Sequence, residues 1–238
     1  MEVNRPNRQI RTALGESDPI DAYAAARATL SGSRVRVPKA RDGAVEAIRA
    51  VRVARRGAVK ARTQTINQLK ALLLTGPTEL REHLRPLLTP ELVPTCARRR
   101  APGPLTDAGQ ATRVALRRLA RRYQHLSTEI TAADAELKEL VVATAPGLLA
   151  LVGVGGEAAG QLLTSAGDNP DRLRSEAAFA LLCGVAPIPA SSGKTRRHRL
   201  NRGGDRGANN ALYTMALSRL RCDPRTRAVT STAAPPKD

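Results

Sequence analysis

Residues 113–140 read RVALRRLARRYQHLSTEITAADAELKEL, and their periodicity decides the fold. Leu116, Leu119, Tyr123, Leu126, Ile130, Ala133, Leu137 and Leu140 recur at alternating spacings of three and four. That spacing lines one face of an α-helix. Sustained over about three and a half heptads, it predicts a coiled-coil seam. Arg113, Arg117, Arg118, Arg121 and Arg122 make the first half basic, and Glu129, Asp134, Glu136 and Glu139 make the second half acidic. An antiparallel pairing, within the chain or between two chains, would set opposite charges side by side. An ordinary bundle helix makes the same pattern, so both arrangements stay open.

Working outward, residues 42–74 form a second long helical stretch without an internal Pro. Its broken apolar stripe is Val45, Ile48, Val59, Ile66, Leu69 and Leu73, and Thr75-Gly76-Pro77 stops it. Pro86, Pro90, Pro94 and Pro102 break up residues 77–104, which read as short helical turns and loop around a basic cluster, Arg98 to Arg100. Beyond Pro146 come short helices over 156–166, 173–182 and 209–220, then an Ala/Pro/Thr-rich tail, 229–238, expected to be disordered. At the other end, EVNRP reads as a strand with no sheet partner in sight, hence disordered. Asp18-Pro19 opens a helix to Leu30, with Gly32 ending it. The fold class is mainly α.

The 238 residues are 42% hydrophobic but only 2% aromatic, so the core is aliphatic. So few rings exclude a single-strand binder that stacks bases on aromatic platforms. Lys plus Arg number 39 against 21 acids, a net charge of +18. Such a field attracts polyanions and releases their condensed counterions. Codon bias can favour Arg over Lys, but it does not create an excess of positive charge. Cys96, Cys183 and Cys222 form neither a CxxC pair nor a disulfide framework, which suits a reducing cytoplasm. No apolar run is long enough to span a membrane, and residues 1–18 lack the apolar core of a signal peptide.

Three constellations carry candidate chemistry. Gly153-Val154-Gly155 between two short helices suits a helix-hairpin-helix, where glycines let the backbone approach a phosphate. A plain tight turn has the same composition. Ser191-Ser192-Gly193 precedes a basic loop with Lys194, Arg196, Arg197, Arg199, Arg202 and Arg206. A serine attacking a phosphodiester needs access, which a flexible loop offers, and cations for the charge that develops. On residues alone, a solvated loop that only grips phosphates is the simpler account, with His198 one more contact. Asp18 and Asp21, three apart at a helix start, can project from one face as magnesium ligands. They equally stabilise the helix start by capping and by its dipole.

Taken together, EVNRPNRQIR, GESDPIDAYAAARA and RTQTINQLKALLLTGP resemble the insertion-sequence one-ten transposase family, which includes the RNA-guided bridge recombinases. So does LVGVGGEAAGQLLTSAGDNPDRLRSEAAFALLCGVAPIPASSGKTRRHRLNRGGDR. The resemblance implies four parts: the end of a RuvC-like DEDD domain (1–32), a helical coiled-coil region (33–145), a transposase domain (146–228) with helix-hairpin-helix and serine loop, and the tail. It implies that Ser192 is a nucleophile forming a covalent phosphoserine link to DNA, and that Asp18 and Asp21 are the last two acids of a Mg²⁺ set. It also implies a guide RNA and a homo-oligomer held by the coiled coil, in which one chain's serine meets another's acids. Departures are equally plain: the first two acids of the set are missing, Glu16 stands where the family has Lys, and VTSTAAPPKD replaces a basic helical stretch. The expectation is therefore a chain truncated at both ends. It is either a DNA strand-transfer enzyme or a non-catalytic nucleic-acid-binding remnant that associates with a full-length relative.

Overall fold

The computed structural model describes residues 2–3, 18–31, 35–36, 41–168, 173–192 and 194–233. The chain is mainly helical. The first helix, α1 (Asp18–Leu30), has no buried residue, and Gly32 lies outside the described residues. Strand β1 (Glu2–Val3) is not the orphan its sequence suggests, because it pairs antiparallel with β2 (Val35–Arg36). That partner is two residues long and carries no periodicity of its own, so the sequence does not announce it.

Two long helices form the body: α2 (Ala44–Thr75) and α5 (Ala108–Thr144). At 1.5 Å per residue they are about 48 and 55 Å long. Residue Asp107 caps α5, its carboxylate accepting the Gln110 amide at 2.7 Å. The start of α2 has no side chain of its own for this. Instead Asp168, 123 residues downstream, accepts the Val45 amide at 3.3 Å. Such a cap exists only once the chain has folded back on itself.

The two helices run antiparallel within the chain. Ile48 near the start of α2 packs with Leu137 and Val141 near the end of α5, and Leu69 and Leu73 pack with Leu116 and Ala120 at the opposite ends. Of the seam, Leu116, Ile130, Ala133 and Leu137 are buried and the other four half-buried. The seam is thus filled by α2 of the same chain, the in-chain arrangement of the two the periodicity allows. Opposite charges do meet across it, as the Arg55–Asp134 pair at 2.5 Å shows.

Between them, 77–104 holds more helix than its prolines suggest: α3 (Thr78–Leu84) and α4 (Thr89–Arg98). Pro90 sits in the first turn of α4, where no amide is needed, and Pro94 lies inside it. Burial of Leu92, Val93, Cys96 and Ala97 against the far end of the α2–α5 pair overrides local propensity.

After α5 come a single turn, α6 (Pro146–Leu149), then α7 (Gly156–Ala166), α8 (Glu176–Leu182), a two-stranded ladder of β3 (Ile188–Pro189) and β4 (His198–Arg199), α9 (Arg206–Cys222) and α10 (Pro224–Ala233). A second core, around Ile48, Leu137, Val141, Val154 and Ala159, joins this unit to the long helices, and a third, around Leu162, Cys183, Ala208 and Ala211, holds α7, α8 and α9 together. Helix α10 continues through Ala233, so the first five residues of the expected tail, 229–233, are helical. Asp223 supplies the reason, since it organises the first turn of that helix. No helix among the described residues is long and apolar enough to cross a membrane.

Candidate nucleic-acid interface

The basic segment after Pro189 is a β-hairpin rather than the flexible loop its composition suggests. Ile188 pairs with Arg199 and Pro189 with His198. At the tip, Ser192 and Thr195 exchange backbone hydrogen bonds of 3.2 and 3.1 Å. Gly193 itself lies outside the described residues. The two serines are not equivalent. Ser191 Oγ accepts the Arg197 amide at 3.2 Å and donates to the Arg197 carbonyl at 3.4 Å, so its hydroxyl is a structural cross-tie. Ser192 is exposed, and its hydroxyl makes no hydrogen bond among the described residues.

Strand alternation places Thr195, Arg197 and Arg199 on the face of Ser192, and Arg196 and His198 on the opposite face. Lys194, Arg196, Arg197 and Arg199 are all exposed, so the hairpin brings together a free hydroxyl and four cations. Arg202 and Arg206, also exposed, lie in the return loop and at the start of α9.

That return loop is fastened where α8 ends, and the fastening escapes a reading of charge alone. The last carbonyls of a helix have no partner within it. Here Asn201 Nδ2 donates to Leu181 O at 3.2 Å, the Asp205 amide to Leu182 O at 2.7 Å and Asn209 Nδ2 to Cys183 O at 3.0 Å. Gly184 turns with φ +69°, and a side chain at Gly204 would collide with its backbone. Burial and the Asp205 carboxylate push the Cys183 thiol up, leaving it a packing group.

Asp205 also begins a buried polar chain. One carboxylate oxygen caps α9 at the Ala208 amide (2.9 Å), and the other accepts Ser165 Oγ (3.0 Å). Ser165 accepts Gln161 Nε2 at 2.8 Å, and Gln161 Oε1 accepts Arg52 at 2.7 Å. Arg52, 4% exposed, completes the chain with a two-pronged pair to Glu157, at 2.8 and 3.3 Å. The hairpin's base is thereby tied through α7 to α2. The helix that Asp205 caps starts at Arg206, three residues before the start read from the sequence, and Arg52 looked like any other helical arginine.

The glycine turn is less open than a phosphate cradle requires. Gly153, at φ +81°, lies against α9, and a Cβ there would stand 3.0 Å from Met215 O and from Arg219 Cγ. Gly155, the residue before α7, is exposed with open space beside it. Asp18 and Asp21 share the first turn of α1 and are exposed. Among the described residues no group of three Asp, Glu, His or Cys side chains is placed to hold a metal ion. Two carboxylates are half of the set of four that the family resemblance calls for.

No curated protein matches the chain. Residues 145–231, the stretch from α6 into α10 that carries the serine hairpin and its fastening, match the family model described as Transposase IS116/IS110/IS902 family.

Proposed function

We propose that this chain acts on DNA as a transposase, with Ser192 as the nucleophile. The family match over 145–231 supports a transposase function, and the observation that carries the residue assignment is the exposed, unpartnered Ser192 hydroxyl on a hairpin lined with cations. Ser192 Oγ attacks a backbone phosphorus. The Oγ–P bond forms as the bond from phosphorus to one bridging sugar oxygen breaks. The proton lost by the serine is matched by the one gained at the released sugar hydroxyl. The phosphoester is conserved, so attack by a new sugar hydroxyl reverses the step and rejoins strands. Lys194, Arg197 and Arg199 stabilise the charge that develops on the phosphoryl oxygens. Gly155 and the basic return loop add backbone contacts. A guide RNA and an assembly of several chains belong to the same proposal, and the assembly would use a face other than the seam already filled by α2.

The second reading is a nucleic-acid-binding protein without strand-transfer activity. The two exposed acids of α1, which do not complete a metal set among the described residues, favour it. One experiment separates the two. The chain is incubated with Mg²⁺ and a labelled supercoiled plasmid, then resolved under denaturing conditions. A covalent protein–DNA adduct is expected, absent in Ser192→Ala and retained in Ser191→Ala. Salt-sensitive binding with no adduct establishes the second reading, and an adduct that survives Ser192→Ala overturns the assignment of Ser192.

A further inference from the structure

The cations of the two long helices fall into two groups. Near the C-terminal unit three of them have acids: Arg49 pairs with Glu46, Arg52 with Glu157 and Arg55 with Asp134. Farther along, the acids stop. There is no Asp or Glu from 47 to 78 or from 108 to 128. Because Arg62 sits over the Tyr123 ring, 5.8 Å from its centre, the two acid-free stretches lie side by side. Lys60 and Lys70 on α2 and Arg118, Arg121 and Arg122 on α5 are exposed, Arg117 is half-buried, and none of the six forms an ion pair among the described residues. They crowd a length of rod about 15 Å long. Holding unpaired like charges this close costs energy that packing of α2 on α5 does not return, since Leu69, Leu73 and Leu116 face inward without them.

We infer that this distal, acid-free segment of the α2–α5 pair is a second docking surface, for the backbone of double-stranded DNA. The partner's chemistry follows from what the surface offers. Gln64 and Asn67 continue the polar face of α2 beside Lys60, in a shallow open groove, and such amides and cations donate to phosphate oxygens. Among the described residues no ring is free there to stack an unpaired base, because Arg62 covers Tyr123, which disfavours single strands. The choice of DNA over RNA rests on the proposed reaction. A duplex that also touches this surface stays bound by its backbone while its strand is exchanged at the hairpin.

The test is the salt dependence of binding to a 40-bp DNA duplex, followed by fluorescence anisotropy between about 50 and 200 mM salt. In Arg117→Gln/Arg118→Gln/Arg121→Gln/Arg122→Gln the slope of log affinity against log salt is expected to become shallower by about 3. Glutamine keeps helix propensity, and Lys60→Gln/Lys70→Gln, with an expected decrease of about 1–2 in slope magnitude, covers the case in which the fourfold variant does not fold. Replacing the four arginines by lysine should restore the slope, since a phosphate contact needs only the charge. Unchanged slopes in both neutral variants overturn the surface. A change confined to a structured RNA hairpin, with DNA binding intact, overturns the choice of DNA. Adduct formation at Ser192 is read separately, so failed serine chemistry is not mistaken for failure of this surface.

Discussion

A buried guanidinium is stable only while its partners last, and Arg52 makes that the most sensitive single position in the scaffold. Its side chain is 5% exposed, whereas Glu157 is 35% exposed. Removing the carboxylate strands the charge inside, while removing both charges leaves a site that apolar groups can fill. Glu157→Gln is therefore expected to lower unfolding free energy by about 2–3 kcal/mol. The pair Arg52→Met/Glu157→Leu should recover most of that loss, as measured by urea denaturation. A double variant no more stable than Glu157→Gln would show that the pair contributes through specific geometry. Gly160 belongs to the same arrangement, because a Cβ there would press to 2.9 Å from Arg52 Cδ and 3.1 Å from Ile48 Cγ2. None of this was readable beforehand. The apolar stripe read from the sequence leaves Arg52 out, and no local pattern names the acid 105 residues away that makes its burial tolerable.

Elements end where their unpaired backbone groups find partners, and the last two helices depend on one acid for this. Asp223 accepts Thr226 Oγ1 at 2.6 Å, Arg219 at 3.0 Å and the Arg225 amide at 3.3 Å. The Thr226 hydrogen bond, aided by Arg219, holds the Asp223 carboxyl below its ordinary pKa, against the effect of burial. A carboxyl depressed in the folded state stabilises above its unfolded pKa and loses that contribution as pH falls through the folded one. Asp223→Asn is expected to be less stable than the natural chain at pH 7. The gap should narrow as pH falls below the ordinary carboxylate pKa of about 4 and go on closing as pH falls through the lowered folded one, followed by urea titrations at each pH. At this scale the long helices and the stop at Thr75-Gly76 were legible, because each signal is local. The helices α3 and α4 were not, because burial of Leu80, Leu84, Leu92 and Val93 decides them. The hairpin at Ser192 was missed for a similar reason: its register comes from Thr195 and the Ser191 cross-tie, not from alternating hydrophobicity.

Across the whole molecule, the two long helices act as a beam with a different task at each end. Two apolar clusters lie along it, and the one around Leu137 and Val141 couples the beam to the unit that carries the hairpin. Leu137 is fully buried, so Leu137→Ala should cost about 2–5 kcal/mol. The loss should move the unfolding transitions of the beam and of the C-terminal unit together, seen as coincident far-ultraviolet dichroism and Phe179 or Tyr213 fluorescence midpoints. Separate midpoints would mean that the cluster joins two independently folding parts. Charge is uneven along it too: Arg49, Arg52 and Arg55 keep acids where the beam meets the C-terminal unit, whereas residues 47–78 and 108–128 hold no Asp or Glu.

What the sequence determined by itself was what near neighbours can encode: mainly helical structure, the apolar seam of residues 116–140, the excess of positive charge and a serine within a basic segment. Periodicity, capping and net charge are properties of short windows and survive without tertiary context. Only the folded chain decided that the seam packs on α2 of the same chain, that Ser191 is tied while the Ser192 hydroxyl has no partner among the described residues, and which arginines keep an acid. Those outcomes depend on which groups the fold brings into contact, up to 105 residues apart for Arg52 and Glu157, and no periodicity or composition specifies that.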